Sequence, residues 1–128
     1  MTDTSASVEG RVVMITGAGQ GIGRAYALSF AAAGAIPVIA EIDGAKAEIT
    51  AAGGQALSIQ TDVTDPASVK AAVAATLDRF GQIDVLINNA AIFVTLGRQP
   101  FWEIDLEEWR AVMDVNITGC FICASAVS

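Results

Sequence analysis

Short apolar runs rich in β-branched residues alternate with longer amphipathic runs, and this alternation restricts the fold more than any other feature of the chain. After a tail over residues 1–10, the predicted strands are 12–15, 36–42, 56–60 and 83–87, and the predicted helices are 22–33, 46–52, 67–80 and 105–128. The strands are apolar almost throughout, which is typical of strands buried on both faces of a parallel sheet. The sequence therefore predicts an α/β fold, with a doubly wound parallel sheet and helices on both faces.

Turn and cap residues mark the ends of these runs. Gly34 and Gly81 follow two of the predicted helices and are typical C-caps. Asp65 followed by Pro66 predicts a helix start with a capping side chain and a proline in the first turn. On that helix the spacing predicts a buried face made of Val69, Val73 and Leu77. Residues 91–104 are predicted to be a loop.

Composition excludes several classes of function. The chain has 128 residues, 53% hydrophobic and 16% charged, which excludes a disordered tail. Its formal net charge is −7 and its seven Lys and Arg are scattered, which argues against nucleic acid or an anionic membrane as a partner. The absence of His excludes a Ser-His-Asp triad and a His-ligated metal. Two Cys are too few for a disulfide framework and fit a reducing cytosol.

The sequence shows no sign of a targeting or membrane segment. The first nine residues are polar and acidic, unlike the basic start of a signal peptide. The apolar stretch 25–40 is broken by Gly34 and Pro37, so it is too short and interrupted to span a bilayer. We therefore expect a cytoplasmic protein.

A glycine-rich segment over residues 16–23 links the first predicted strand to the first predicted helix. Gly17, Gly21 and Gly23 leave the backbone free of side chains, so that N–H groups can approach phosphate oxygens. The following helix directs its N-terminal dipole at the same anion. Arg24 follows the last glycine where a nucleotide triphosphatase has Lys, so the segment favours a different phosphate ligand.

Glu41 stands at the end of the second predicted strand, 24 residues after Gly17. A carboxylate at this spacing accepts hydrogen bonds from the hydroxyls of an adenosine ribose and repels a 2′-phosphate. No Arg or Lys lies between residues 35 and 45 to receive such a phosphate. These observations favour NAD over NADP as a cofactor, and the alternative is that Glu41 is merely a solvated strand end.

Three further segments complete a recognisable pattern. They are Asp62-Val63, the run Asn88-Asn89-Ala90-Ala91, and Asn116 within the last predicted helix. Together with residues 16–23, they resemble the N-terminal half of the short-chain dehydrogenase/reductase family. The resemblance runs from about residue 10 to residue 128 and implies a Rossmann fold cut after its fourth strand, so that residues 11–128 form an NAD-binding domain incomplete on its C-terminal side.

The resemblance also implies roles for individual residues. Gly17, Gly21 and Gly23 would bind the pyrophosphate, with Ile22 packed beside the cofactor. Glu41 would hold the adenine ribose, and Asp62 and Val63 would contact the adenine ring. Asn88, Asn89 and Ala90 would stabilise the sheet centre and line the cofactor, although Ala91 replaces the family's Gly. Asn116 would hold a water of the proton relay and kink its helix.

The catalytic Ser and Tyr-x-x-x-Lys that the resemblance implies do not occur in these 128 residues. The single tyrosine, Tyr26, is followed four residues later by Phe30, and we interpret it as a packed helix residue. Cys120 and Cys123 form a C-x-x-C pair inside a helix and are interpreted as buried core thiols. Trp102 and Trp109 are interpreted as core residues, with a substrate mouth as the alternative.

Three functional hypotheses remain. The first is an NAD-dependent oxidoreductase, transferring hydride between a secondary alcohol and a ketone and assembling as a homo-oligomer, as the resemblance implies. The second is a chain that binds NAD without turning it over. The third is a nonfunctional truncation, in which the apolar edge 85–87 promotes association.

Overall fold

The computed structural model describes residues 7–18, 21–42, 55–91 and 99–128. Within these ranges the chain forms four strands and four α-helices. The strands are β1 (Val12–Thr16), β2 (Ile36–Glu41), β3 (Leu57–Gln60) and β4 (Val85–Ile87), and the helices are α1 (Gly21–Ala32), α2 (Pro66–Phe80), α3 (Leu106–Met113) and α4 (Gly119–Val127). The predicted helix 46–52 and residues 92–98 of the predicted loop lie outside the described residues.

The four strands form one parallel sheet in the order β3-β2-β1-β4. In the register of the sheet, Ile15 lies beside Ile39 on one side and Ile87 on the other. From β1 the chain first builds the sheet to one side, through β2 and β3, and then returns to the other side of β1 with β4, so the strand order reverses at β1. Ligands bind at such a point in open α/β sheets.

Alternate residues of β1 face two different apolar layers. Val13 and Ile15 pack with Ala27 of α1, whereas Val12 and Met14 pack with Val73 of α2. Successive side chains of a strand point to opposite faces, so both faces of the sheet are covered. The predicted doubly wound parallel sheet of Rossmann type is therefore confirmed.

Local signals set the ends of α2 as the sequence predicts. The side chain of Asp65 accepts a hydrogen bond from the N–H of Ala67 at 3.0 Å, and Gly81 ends the helix in the left-handed conformation. The predicted buried face is wrong at one residue, because Leu77 is exposed. The buried residues are Val69, Ala72, Val73 and Thr76, which the spacing i, i+3, i+4 and i+7 places on one face of the helix.

The predicted C-terminal helix is interrupted by a π turn over Asp114–Thr118. In this turn the N–H of Gly119 donates to the carbonyl of Asp114, five residues back. A short 3₁₀ helix, Phe101–Glu103, lies inside the predicted loop, and Asp105 caps α3 by accepting from the N–H of Glu107 at 3.3 Å. A π turn widens the helix and changes the direction in which later side chains point.

The whole helical stretch Leu106–Val127 has 22 residues and is long and apolar enough to cross a membrane by length and composition. Its most apolar window is mostly exposed in the structure. Core helices of soluble proteins and signal sequences meet the same criterion, so length and composition alone do not assign it to a membrane.

Candidate functional site

The carboxyl ends of β1 and β4 are joined by the hydroxyl of Thr16, which is 2% exposed. This oxygen accepts hydrogen bonds from the backbone N–H groups of Asn89 and Ala90, each at 3.0 Å, and lies 3.5 Å from the carbonyl of Ile87, to which it donates. The side-chain amide of Asn89 donates to the carbonyl of Gly17 at 3.1 Å. We call Thr16, Gly17, Asn89 and Ala90 the β1–β4 junction.

Two glycines let the backbones of the junction approach closely. Gly17 has φ +66°, and a Cβ on it would lie 2.8 Å from Cα of Ala90, closer than packed atoms allow. A Cβ on Gly23, in the first turn of α1, would collide with the side-chain amide of Asn89. These positions therefore require glycine for close packing of the loop, the helix and β4.

A cavity of about 170 Å³ opens beside the junction, at the carboxyl ends of β1, β2 and β3. Its lining residues come from five parts of the chain and are Gly17, Ala40, Glu41, Ile42, Thr61, Asp62, Val63, Ala90 and Val115. The lining combines apolar side chains with two carboxylates. Small-molecule sites typically have such a lining, with a few polar groups that orient the ligand among apolar side chains.

The two carboxylates occupy different settings. Glu41 ends β2 and is buried, and its carbonyl accepts from the N–H of Thr61 at 2.8 Å. Asp62 holds its own loop, because its Oδ1 accepts from both the N–H and the hydroxyl of Thr64, at 2.9 and 2.7 Å. The N–H of Asp62 donates to the hydroxyl of Ser68 at 2.9 Å. The loop after β3 is thus braced internally and presents Asp62 to the cavity in a set position.

The structure brings five of the predicted site residues together at this cavity. They are Gly17, Glu41, Asp62, Val63 and Ala90. Asn89 lies behind them in the junction, and Asn88 is exposed.

The remaining predicted residues lie around this group, outside the cavity lining. Gly21 and Ile22 are exposed at the N-terminus of α1, and Gly23 is buried against Asn89. Residues 19 and 20 of the glycine-rich segment lie outside the described residues. Asn116 is half-buried in the π turn, next to Val115 of the lining, and its carbonyl accepts from the thiol of Cys120 at 3.4 Å.

Sequence reasoning missed Thr16 and Val115. Thr16 ends the first strand and its partners lie more than 70 residues later, so no local pattern announces its role. Val115 reaches the cavity from the π turn, and helical periodicity does not predict an interrupted helix. The adjacent Asn116, already noted as a kink residue, was the available signal.

Two predictions about aromatic residues are wrong. Tyr26 is 44% exposed on α1 and not packed, because the buried side of α1 is formed by Gly23 and Ala27. Trp102 and Trp109 are 73% and 51% exposed, so they do not form core. Trp102 stacks edge-to-face on Phe101, with ring centroids 5.3 Å apart.

The two cysteines differ in burial. Cys123 is buried against Val63 and Val69, and burial, reinforced by nearby Cys120, raises the pKa of the Cys123 thiol to about 11. Cys120 is only half-buried, so the prediction of two core thiols holds for Cys123 alone. A raised pKa makes Cys123 a poor nucleophile. In the part of the chain that the structure describes, no group of three His, Cys, Asp or Glu side chains is placed to hold a metal.

The family model described as short chain dehydrogenase matches residues 11–128. The chain is 41% identical, over 124 residues, to a 3-oxoacyl-[acyl-carrier-protein] reductase of Synechocystis sp., covering 92% of this chain and 49% of that protein. It is 44% identical, over 120 residues, to a galactitol 2-dehydrogenase of Agrobacterium fabrum, covering 92% of this chain and 46% of that protein.

Solved structures show the same similarity. The 3-ketoacyl-(acyl-carrier-protein) reductase of Brucella melitensis, complexed with NADH, superimposes with a TM-score of 0.86 at 40% identity, covering 93% of this chain and 49% of that one. A short-chain type dehydrogenase/reductase from Mycobacterium marinum gives a TM-score of 0.87 at 34% identity, covering 94% of this chain and 48% of that one. The chain thus spans about half the length of the relatives that it matches.

Proposed function

The chain belongs to the short-chain dehydrogenase family, and from this premise we propose that it is the NAD-binding part of an oxidoreductase. The reaction proposed is hydride transfer between a secondary alcohol and a ketone. The observation that carries the proposal is the cavity at the ends of β1, β2 and β3, which has apolar walls and the buried carboxylate of Glu41.

The cavity fits the adenosine end of the cofactor. Pockets for whole drug-sized ligands have volumes of about 300–1,000 Å³, whereas this cavity has about 170 Å³. It is therefore suited to part of a dinucleotide, with Val63 and Val115 against the adenine ring and Glu41 toward the ribose. The glycine-rich segment and the N-terminus of α1 would receive the pyrophosphate.

The charges around the cavity favour NAD over NADP. A 2′-phosphate placed beside Glu41 and Asp62 would bring like charges together in a partly buried site, which is unfavourable. Hydroxyl groups of the ribose would instead donate to Glu41, and hydrogen bonds to a charged acceptor are worth about 1.5–3 kcal/mol each. The net charge of −7 adds to the discrimination against the more anionic cofactor.

When bound, the nicotinamide would accept or supply the hydride. The residues of this chain would bind and orient the cofactor, and Asn116 is proposed to hold a water of the proton relay from the π turn. The acid-base Ser, Tyr and Lys expected for the family have no counterpart in these 128 residues. We propose that catalysis needs them from a C-terminal half, which would also shape the pocket for a small alcohol or ketone.

A second candidate is binding of NAD without turnover. The observation that favours it is Tyr26, the single tyrosine of the chain, which is exposed on α1 and is not part of the cavity lining. Under either candidate we propose a cytoplasmic protein that forms homo-oligomers and binds neither nucleic acid nor membranes.

Calorimetric titration of the chain with NAD⁺ and NADP⁺ tests the proposal. We expect NAD⁺ to bind at least about tenfold more tightly than NADP⁺. Glu41→Ala should weaken NAD⁺ binding by about ten- to a hundredfold, which corresponds to one lost hydrogen bond to a carboxylate. Glu9→Ala removes an exposed carboxylate and is the matched control, with NAD⁺ affinity unchanged.

Circular dichroism of each sample separates binding from folding. A folded chain that gives no heat with millimolar NAD⁺ would contradict both candidates. Equal affinities for NAD⁺ and NADP⁺, or an unchanged preference for NAD⁺ in Glu41→Ala, would contradict only the assignment of Glu41 to the ribose and leave the proposed nucleotide binding standing.

A further inference from the structure

The last helical segment contacts the loop after β3 through a buried glycine, Gly119, at the start of α4. A Cβ on Gly119 would lie 2.9 Å from Cγ2 and 3.3 Å from Cβ of Val63. The first distance is shorter than packed carbon atoms tolerate, so Val63 occupies the space that any side chain at position 119 would need. Val63 is itself buried and lines the cavity.

The same helical segment also contributes a residue to the cavity lining. Val115 lies in the π turn and lines the cavity, and it packs against the cluster of Val63, Val69 and Cys123. Gly119 closes that turn, because its N–H donates to the carbonyl of Asp114. The contact at Gly119 and the position of Val115 therefore belong to one hydrogen-bonded turn.

We propose that Gly119 is a positioning residue for the nucleotide cavity, setting how its apolar lining residues Val63 and Val115 sit relative to each other. The inference rests on the proposed nucleotide binding, and it assigns to that site a residue that does not line it. A single methyl group at position 119 would have to displace either Val63 or the π turn.

Neither side of the contact can yield cheaply. Val63 is β-branched, so its χ1 angle is restricted and its methyl groups cannot swing away as a long side chain would. The loop that carries it is braced by the hydrogen bonds of Asp62 to Thr64 and Ser68. A side chain added at position 119 would therefore move the cavity-lining residues Val63 or Val115, because neither can relax enough to accommodate it.

A double-mutant cycle measures this coupling. The variants are Gly119→Ala, Val63→Ala and the double variant, and the probe is AMP, which carries the adenine and ribose without the nicotinamide half. We expect Gly119→Ala to weaken AMP binding about tenfold when Val63 is present and less than twofold when position 63 is Ala, because the shorter side chain leaves room for the new methyl group.

Val73→Ala is the control for stability. Val73 is buried in the layer between α2 and the sheet and does not line the cavity. We expect this variant to lower the urea midpoint while the AMP affinity of its folded fraction stays unchanged. An AMP affinity that falls in Val73→Ala as much as in Gly119→Ala would show that the effect is general destabilisation and would overturn the proposal.

The outcomes separate the two proposals. A folded parent chain that binds no AMP overturns the proposed function and the binding role of Gly119 with it. A parent that binds AMP, with the same loss from Gly119→Ala in both backgrounds, overturns only the role of Gly119. If Gly119→Ala does not fold, the double variant must fold and bind AMP within about twofold of Val63→Ala, and failure on either point overturns the inference.

Discussion

The β1–β4 junction and the α3–α4 helical segment differ in which side chains are buried and which have hydrogen-bond partners. In the junction, the buried hydroxyl of Thr16 and the amide of Asn89 find partners within 3.1 Å. Along α3 no residue is buried. The helical segment instead exposes a row of large apolar side chains, each between 38% and 72% exposed, which we call the apolar stripe: Leu106, Trp109, Met113, Ile117 and Phe121.

The difference teaches that hydrophobicity alone does not decide burial here, because Thr16 is buried beside β4 while the large apolar side chains of the stripe are exposed. The junction packs small residues around backbone groups, and the Thr16 hydroxyl and the Asn89 side-chain amide both have hydrogen-bond partners. The apolar stripe has the composition of a buried face but is exposed to solvent. Exposed apolar surfaces of this kind mark contacts with other protein surfaces. The junction should therefore respond sharply to substitution, and the stripe should not.

The largest effect is expected at Gly17. Gly17→Ala adds a methyl group against the backbone of Ala90 and forces a non-glycine residue to φ +66°, so we expect a loss of at least about 3 kcal/mol in the free energy of unfolding. Gly81 has a similar φ of +77° but open space around it, and Gly81→Ala should cost only about 1 kcal/mol. Equal losses in urea unfolding would mean that close packing at the junction contributes nothing.

An intermediate effect is expected at Thr16. Thr16→Val keeps the shape but leaves two backbone N–H groups without their acceptor, which should cost about 2–4 kcal/mol. Thr76→Val is the matched control, because Thr76 is equally buried and only donates to the carbonyl of Ala72 within its own helix. The control should lose less than about 1 kcal/mol, and a comparable loss in both variants would contradict the bridging role of Thr16.

The smallest effect on stability is expected in the apolar stripe. Trp109→Gln and Phe121→Gln should each change the free energy of unfolding by less than about 0.5 kcal/mol, because both side chains are exposed. We expect the parent chain to associate at micromolar concentration through the stripe and the strand edge at β4, and the double variant to associate less. Sedimentation velocity measures this, and a monodisperse parent monomer would contradict the expectation.

The sequence predicts those parts of the fold that rest on local signals. The strands, the cap at Asp65 and the end of α2 at Gly81 follow from apolar runs and from residues with strong conformational preferences. The parallel sheet follows because each buried strand is separated from the next by a helix-length segment. These features need no knowledge of distant contacts.

What the sequence does not predict depends on partners far along the chain. The role of Thr16 depends on β4, and Val115 reaches the cavity only because the helix contains a π turn beside the close contact of Gly119 with Val63. Trp109 was expected in the core because aromatic residues usually are buried, yet the described residues do not cover it. Periodicity shows which side chains are apolar, but it does not show what lies opposite them.

The position of β1 between β2 and β4 has a consequence for the order in which the molecule can assemble. β2 follows β1 closely along the chain, so pairing them closes only a short segment. Pairing Val13 of β1 with Val85 of β4 closes a much longer segment and costs more conformational entropy. During synthesis from the N-terminus, β1, β2 and β3 can pair first, and the cavity is finished only when Ala90 and Val115 arrive. The proposed nucleotide binding would thus report that this cavity is complete, not that folding has begun.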